Sequence, residues 1–215
     1  MNFDKNFLKK EAKEWIAALV FAILLYYVVL PLFLHTSSPA IVIASCSEKG
    51  FLNIGDIIFV QGGSLEELNA PTVNTVNFTP VFVNDTFIGL NFSGLMIYPN
   101  QSNDIAVYYS PYGFQVIHRV LVKINDSGNF YLITRGDANN FPDQVNYLDK
   151  SVCFHDLKKG CISTAVNQKM YVGKKIFVAI PLLGHIKLFF CDLTGGIFCE
   201  GHSNFATNYE YKLSC

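Results

Sequence analysis

The sequence predicts a mainly β protein carried on a single N-terminal membrane-spanning helix, and three observations point there. Residues 15–34, "WIAALVFAILLYYVVLPLFL", run twenty positions without a charge. Beyond them the apolar runs are short, rich in β-branched and aromatic residues, and bounded by Gly, Pro, Asn or Asp. No stretch after residue 35 sustains apolar residues at helical spacing. A length of 215 residues suits one compact domain plus an anchor. The net charge of −1, from 16 basic and 17 acidic residues without a long charge run, argues against a nucleic-acid partner.

The anchor comes first. Twenty apolar residues in a helix cross about 30 Å of hydrocarbon. Lys5, Lys9, Lys10 and Lys13 precede it, and the next basic residue is Lys49. The positive-inside rule then puts residues 1–14 in the cytoplasm and everything after residue 35 outside the cell membrane. The apolar core is longer than the roughly 7–15 residues of a cleaved signal peptide, and aromatics stand where small cleavage-site residues belong, so the helix reads as retained. Five Asn-x-Ser/Thr sequons, at Asn77, Asn84, Asn91, Asn100 and Asn125, suit an outer location, as do six cysteines. Cys153/Cys161 and Cys191/Cys199 share one spacing and are candidate local disulfides. With no CxxC pair and scattered histidines, neither a metal nor any other cofactor is expected.

Strands are expected at Ala40–Ala44, Asp56–Val60, Ile105–Tyr109, Gln115–Ile124, Phe130–Thr134 and Tyr171–Ile180. "INDSGNF" between two of them reads as a hairpin turn with Asp126 and Gly128 in the tight positions. Residues 61–103 read as an insertion able to carry strands of its own. Residues 35–188 thus form the extracytoplasmic β domain, and 189–215 a C-terminal tail.

Chemistry enters at "IASCSEKGF". Ser47 is a candidate nucleophile on a turn leaving a strand, and Ser45 shares its side because strand side chains repeat every two residues. A neighbouring hydroxyl and the Ser47 N–H could both donate to an oxyanion. The same alternation turns Cys46 away. His118, inside the apolar run "FQVIHRVLV", is the candidate base, with an ordinary pKa near 6.5. Asp137 and Asp143, in "LITRGDANNFPD", are candidate partners, and either could hold the imidazole. Each of these also has a purely structural reading, as a core histidine or as ordinary turn aspartates.

The order of these boxes resembles signal peptidase I of the archaeal and endoplasmic-reticulum type, which uses Ser and His. Ser45-Cys46-Ser47 with Gly55-Asp56, "NDIAVYYSP" with Asn103 in place of Gly, His118-Arg119-Val120, Thr134-Arg135-Gly136-Asp137 with Asp143, Gly173-Lys174, and Ile180-Pro181-Leu182-Leu183-Gly184 follow the family's order. The resemblance covers the anchor and residues 38 to about 188. It implies a signal-peptidase/LexA-like β domain and a membrane-anchored serine endopeptidase that removes signal peptides from exported preproteins. It further implies Ser47 as nucleophile, His118 as base, Asp137 and Asp143 as the acidic residues, Ser45 on the oxyanion side, and Gly55 and Asp56 as structural. Ile41, Ile43 and Ala44 would line an extended substrate added beside their strand. Implied partners are signal peptides, the lipid bilayer and, as a further candidate, the secretion translocon. One departure stands out: Glu48-Lys49-Gly50 replaces the family's Met-Glu-Pro, so Glu48 either faces solvent or acts on His118 by its charge. The competing reading is an inactive, membrane-anchored binding domain of the same fold.

Overall fold

A computed structural model describes residues 5–181 and 183–193. It is mainly β with one N-terminal apolar helix. Helix α1 (Lys5–Leu24) widens into a π-helical turn at Leu25–Val29 and resumes as α2 (Leu30–Leu34). The widening precedes Pro31, which lacks an N–H and crowds the carbonyl one turn back. Residues 11–34 make one helix long and apolar enough to cross a membrane. It ends at His35 in the left-handed conformation, with its N–H on the Pro31 carbonyl.

Ten strands follow among the described residues: β1 (Ala40–Val42), β2 (Ile57–Gln61), β3 (Thr72–Val73), β4 (Thr79–Val83), β5 (Thr86–Phe92), β6 (Leu95–Ile97), β7 (Ile105–Tyr109), β8 (Gln115–Asp126), β9 (Asn129–Arg135) and β10 (Tyr171–Ile180). The larger sheet has the order β1-β2-β10-β7-β8-β3, with β9 also on β8, and all its pairings are antiparallel except β3 with β8. β8 spends its first half on β7 and its second on β9. Alternation divides β7 between two cores: Ile105 and Val107 join Ile43, Leu52, Ile58 and Val60, while Ala106 and Tyr108 join Val116, Val120 and Leu132.

The structure corrects several expectations. The 61–103 segment is only partly separate. β3 joins the main sheet, and the β4-β5-β6 sheet lays Phe87, Leu90 and Phe92 of β5 on Leu121, Val122, Ile124 and Ile133. The tight hairpin positions are Ser127 and Gly128, both at positive φ, while Asp126 pairs with Asn129 in the ladder. A helix absent from the sequence reading, α3 (His185–Leu193), follows β10. The Cys153–Cys161 disulfide is present. Cys199 and the side chain of Cys191 lie outside the described residues, as does the tail from 194 to 215.

Hydrogen bonds stitch the helix end to the sheet. Gly62 N–H donates to the Leu34 carbonyl at 2.8 Å, Val60 N–H to the Pro39 carbonyl at 3.0 Å, and the Thr36 hydroxyl to the Val172 carbonyl at 3.0 Å.

Candidate active site

β1 runs out of the sheet into the turn that carries Ser45, Cys46 and Ser47. The backbone of Ile43 exchanges two hydrogen bonds with Gly55 and Asp56, which sets the direction of exit. Gly55 has φ +84, and a Cβ there would strike the His185 ring, so the position demands glycine. Asp56 accepts the Asn53 N–H and closes the turn. The Ser45 and Ser47 hydroxyls lie 3.2 Å apart, on one side of the chain. Cys46 is disulfide-bonded, which removes it as a thiol nucleophile.

The imidazole comes from β8. His118 shares a sheet face with Val116 and Val120, and only 5 % of it is exposed. Its Nδ1–H donates to Asp143 Oδ2 at 2.7 Å, an ionised carboxylate being able only to accept. The same oxygen accepts the Thr134 hydroxyl at 2.7 Å and the Tyr108 hydroxyl at 2.8 Å. Asp143 is itself fully buried, with its N–H on the Thr134 carbonyl. Burial, followed by the Asp143 charge, holds the Tyr108 phenol far above its ordinary pKa, so Tyr108 is a permanent donor. Burial disfavours the imidazolium, but the charge and hydrogen bond of Asp143, aided by Glu48 and Asp137, outweigh it and raise the His118 pKa.

Asp137 serves a different cation. Arg119 follows His118 on the strand and therefore points to the opposite face. Its guanidinium grips Asp137 through Nε and Nη2 at 2.7–3.1 Å and donates to the Gln101 and Asn103 carbonyls through Nη1. Of the two carboxylates left open by the sequence, Asp143 holds the histidine and Asp137 the arginine.

The two halves meet at Gly136. A Cβ at that position would lie 2.7 Å from the Ser47 carbonyl oxygen and 2.9 Å from His118 Nε2. The Ala138 N–H donates to the Ser47 carbonyl at 2.8 Å. Phe51, at the far end of the serine turn, lies under the Arg119 guanidinium at 4.7 Å. Glu48 is only 2 % exposed and accepts the Asp137 N–H at 3.3 Å. Burial, and then the neighbouring Asp137 charge, push its pKa up to about 7, against the opposing pull of His118 and Arg119. The solvent-facing alternative for Glu48 is thereby excluded.

β1 is an end strand of its sheet. Pro39 and Ile43 direct their backbone bonds at the β2 side, so alternation turns the polar groups of Val42 and Ala44 the other way. Ile41 and Ala44 are half-buried. Ile43 is corrected from a substrate-facing residue to a core one: it is 3 % exposed and packs with Leu52 and Ile58. Tyr108, Thr134 and Arg119 were not read from sequence as site residues, whereas an action of Glu48 on His118 was one of the two alternatives. Of these three, Arg119 carried a usable signal, as a charge next to His118 on a strand with two aspartates to share. Among the described residues no cluster of three His, Cys, Asp or Glu is arranged to hold a metal. In comparisons with known proteins, no family model and no curated protein matches the chain.

Proposed function

We propose that the chain is a membrane-anchored serine endopeptidase of the signal-peptidase type, with a signal-peptidase/LexA-like β domain held outside the membrane. The observation that carries this reading is that the Ser47 carbonyl and Nε2 of an imidazole whose Nδ1 is fixed by a buried aspartate both border the same residue, Gly136. That arrangement suits acyl transfer. His118 Nε2 takes the proton of the Ser47 hydroxyl as its oxygen bonds to the scissile carbonyl carbon. The resulting oxyanion is met by the Ser45 hydroxyl and the Ser47 N–H. The imidazolium then gives its proton to the leaving amine, and the carbon–nitrogen bond breaks. Water, deprotonated by the same Nε2, releases the acyl group as a carboxylic acid.

The outward edge of β1 at Val42 and Ala44 suits an extended peptide added as a strand. An N-terminal apolar helix tied to the same strand suits a substrate that emerges from lipid, which a signal peptide does. The bilayer and the secretion translocon are the partners this reading calls for. The test is cleavage of a model preprotein by the full chain in detergent. The parent is expected to cut, and Ser47→Ala and His118→Ala to be inactive. Equal cleavage by all three would overturn the assignment. Binding of the preprotein without cleavage by any of them would favour the anchored binding domain.

A further inference from the structure

Glu48 is expensive to keep where it is. A carboxyl group almost wholly removed from water destabilises the fold unless its oxygens are satisfied. Here Oε1 has one long hydrogen bond, from the Asp137 N–H, and the buried Oε2 has no hydrogen-bond partner among the described residues. Packing alone would be served better by an apolar side chain of similar length.

Its surroundings show what the carboxyl group touches. Ser47 and Glu48 are consecutive, and both bind the 136–138 turn: the Ser47 carbonyl through the Ala138 N–H, the Glu48 carboxyl through the Asp137 N–H. Next to those two bonds lies Gly136, where a Cβ would come within 2.9 Å of His118 Nε2. We infer that Glu48 is a positioning residue of the Ser47–His118 site, locking the serine turn onto the imidazole and adding a second carboxylate to stabilise the imidazolium. This inference rests on the peptidase reading and deepens it.

The charged groups around the pair are few. His118 is faced by Asp143, Glu48 and Asp137. Glu48 is faced by His118, Asp137 and Arg119, and its charge also reaches Arg135 and Lys175. Asp143 supplies orientation as well as charge through the Nδ1 bond. Glu48 acts on the ring by charge alone, so its effect is greatest once the imidazole has become a cation.

The experiment compares the full-length parent with Glu48→Gln and Glu48→Met in detergent micelles, by two readouts. The first is the titration of the His118 ring nitrogens by NMR. The second is the pH profile of preprotein cleavage. Both variants are expected to move the His118 titration and the acidic limb of kcat/KM down by about one pH unit. Glu48→Gln keeps an acceptor for the Asp137 N–H, so its KM should stay within about twofold while kcat falls roughly tenfold. Glu48→Met loses the bond too and should lose a further several-fold in kcat. An unshifted His118 titration in Glu48→Gln would overturn the inference, as would a parental pH profile in both variants. If the parent does not cleave, the peptidase reading fails, and the NMR titration still decides whether Glu48 acts on the imidazole.

Discussion

Glu48 and His118 both carry folded-state pKa values above their ordinary ones, and the consequences for stability differ in size. For Glu48, a rise from 4.5 to about 7 means the native state holds a proton that the unfolded chain has released. Stability therefore falls as pH rises through that window and levels off above it. The full cost is about 3 kcal/mol. Glu48→Met should accordingly be more stable than the parent by up to that amount at pH 8, with the gain shrinking towards pH 5; denaturant melts at the two pH values measure it. His118 shifts the same way, so the pair with Asp143 stabilises fully below about pH 6.5 and less as pH climbs past the raised value. The two aspartates should separate cleanly. Asp143→Asn leaves the imidazole without its carboxylate and should cut kcat by about a thousandfold or more. Asp137→Asn leaves a buried guanidinium short of its counter-ion and should cost about 3 kcal/mol of stability. Activity and melting temperature, measured together on both variants, check this division.

At the level of elements, the strands were legible because their chemistry is local. β7 and β10 begin and end where β-branched and aromatic runs stop, and the other expected strands differ by one or two residues at an end. α3 was not legible: nine residues following Ile180-Pro181 give too little periodicity to stand out. The site was half legible. Ser47, His118 and the two aspartates are recognisable from residue type and order, but the division of the aspartates depends on which strand face each cation occupies. Tyr108 reads as core in any alternation, since its ring is core and only its hydroxyl reaches Asp143. The contact between turns at Gly136 is a product of tertiary structure alone. Gly136→Ala places a methyl group between the Ser47 carbonyl and the imidazole and should reduce cleavage about a hundredfold. An unchanged rate in a well-folded Gly136→Ala variant would mean the turns have room that the structure does not show.

For the whole molecule, the β4-β5-β6 sheet and the N-terminal apolar helix do different jobs: the sheet packs on the core of the main sheet, and the helix end is hydrogen-bonded to it. The small sheet is part of the fold's support: its Leu90 is fully buried in the cluster with Leu121, Val122, Ile124 and Ile133, and Leu90→Ala should cost about 2–5 kcal/mol without touching the serine turn. Equilibrium unfolding measures that cost, and a loss of less than about 1 kcal/mol would make the hairpin a surface appendage. The apolar helix is fastened rather than tethered. Its last carbonyl accepts the Gly62 N–H just past β2, and Thr36 and Pro39 are bonded to β10 and β2 before the chain reaches Ser47, which leaves little slack between them. For a peptidase built this way, the altitude of the attacking oxygen above the lipid is a constant of the fold, and the enzyme would choose its scissile bond by measuring how far a substrate protrudes, as a gauge block does, as much as by tasting its side chains.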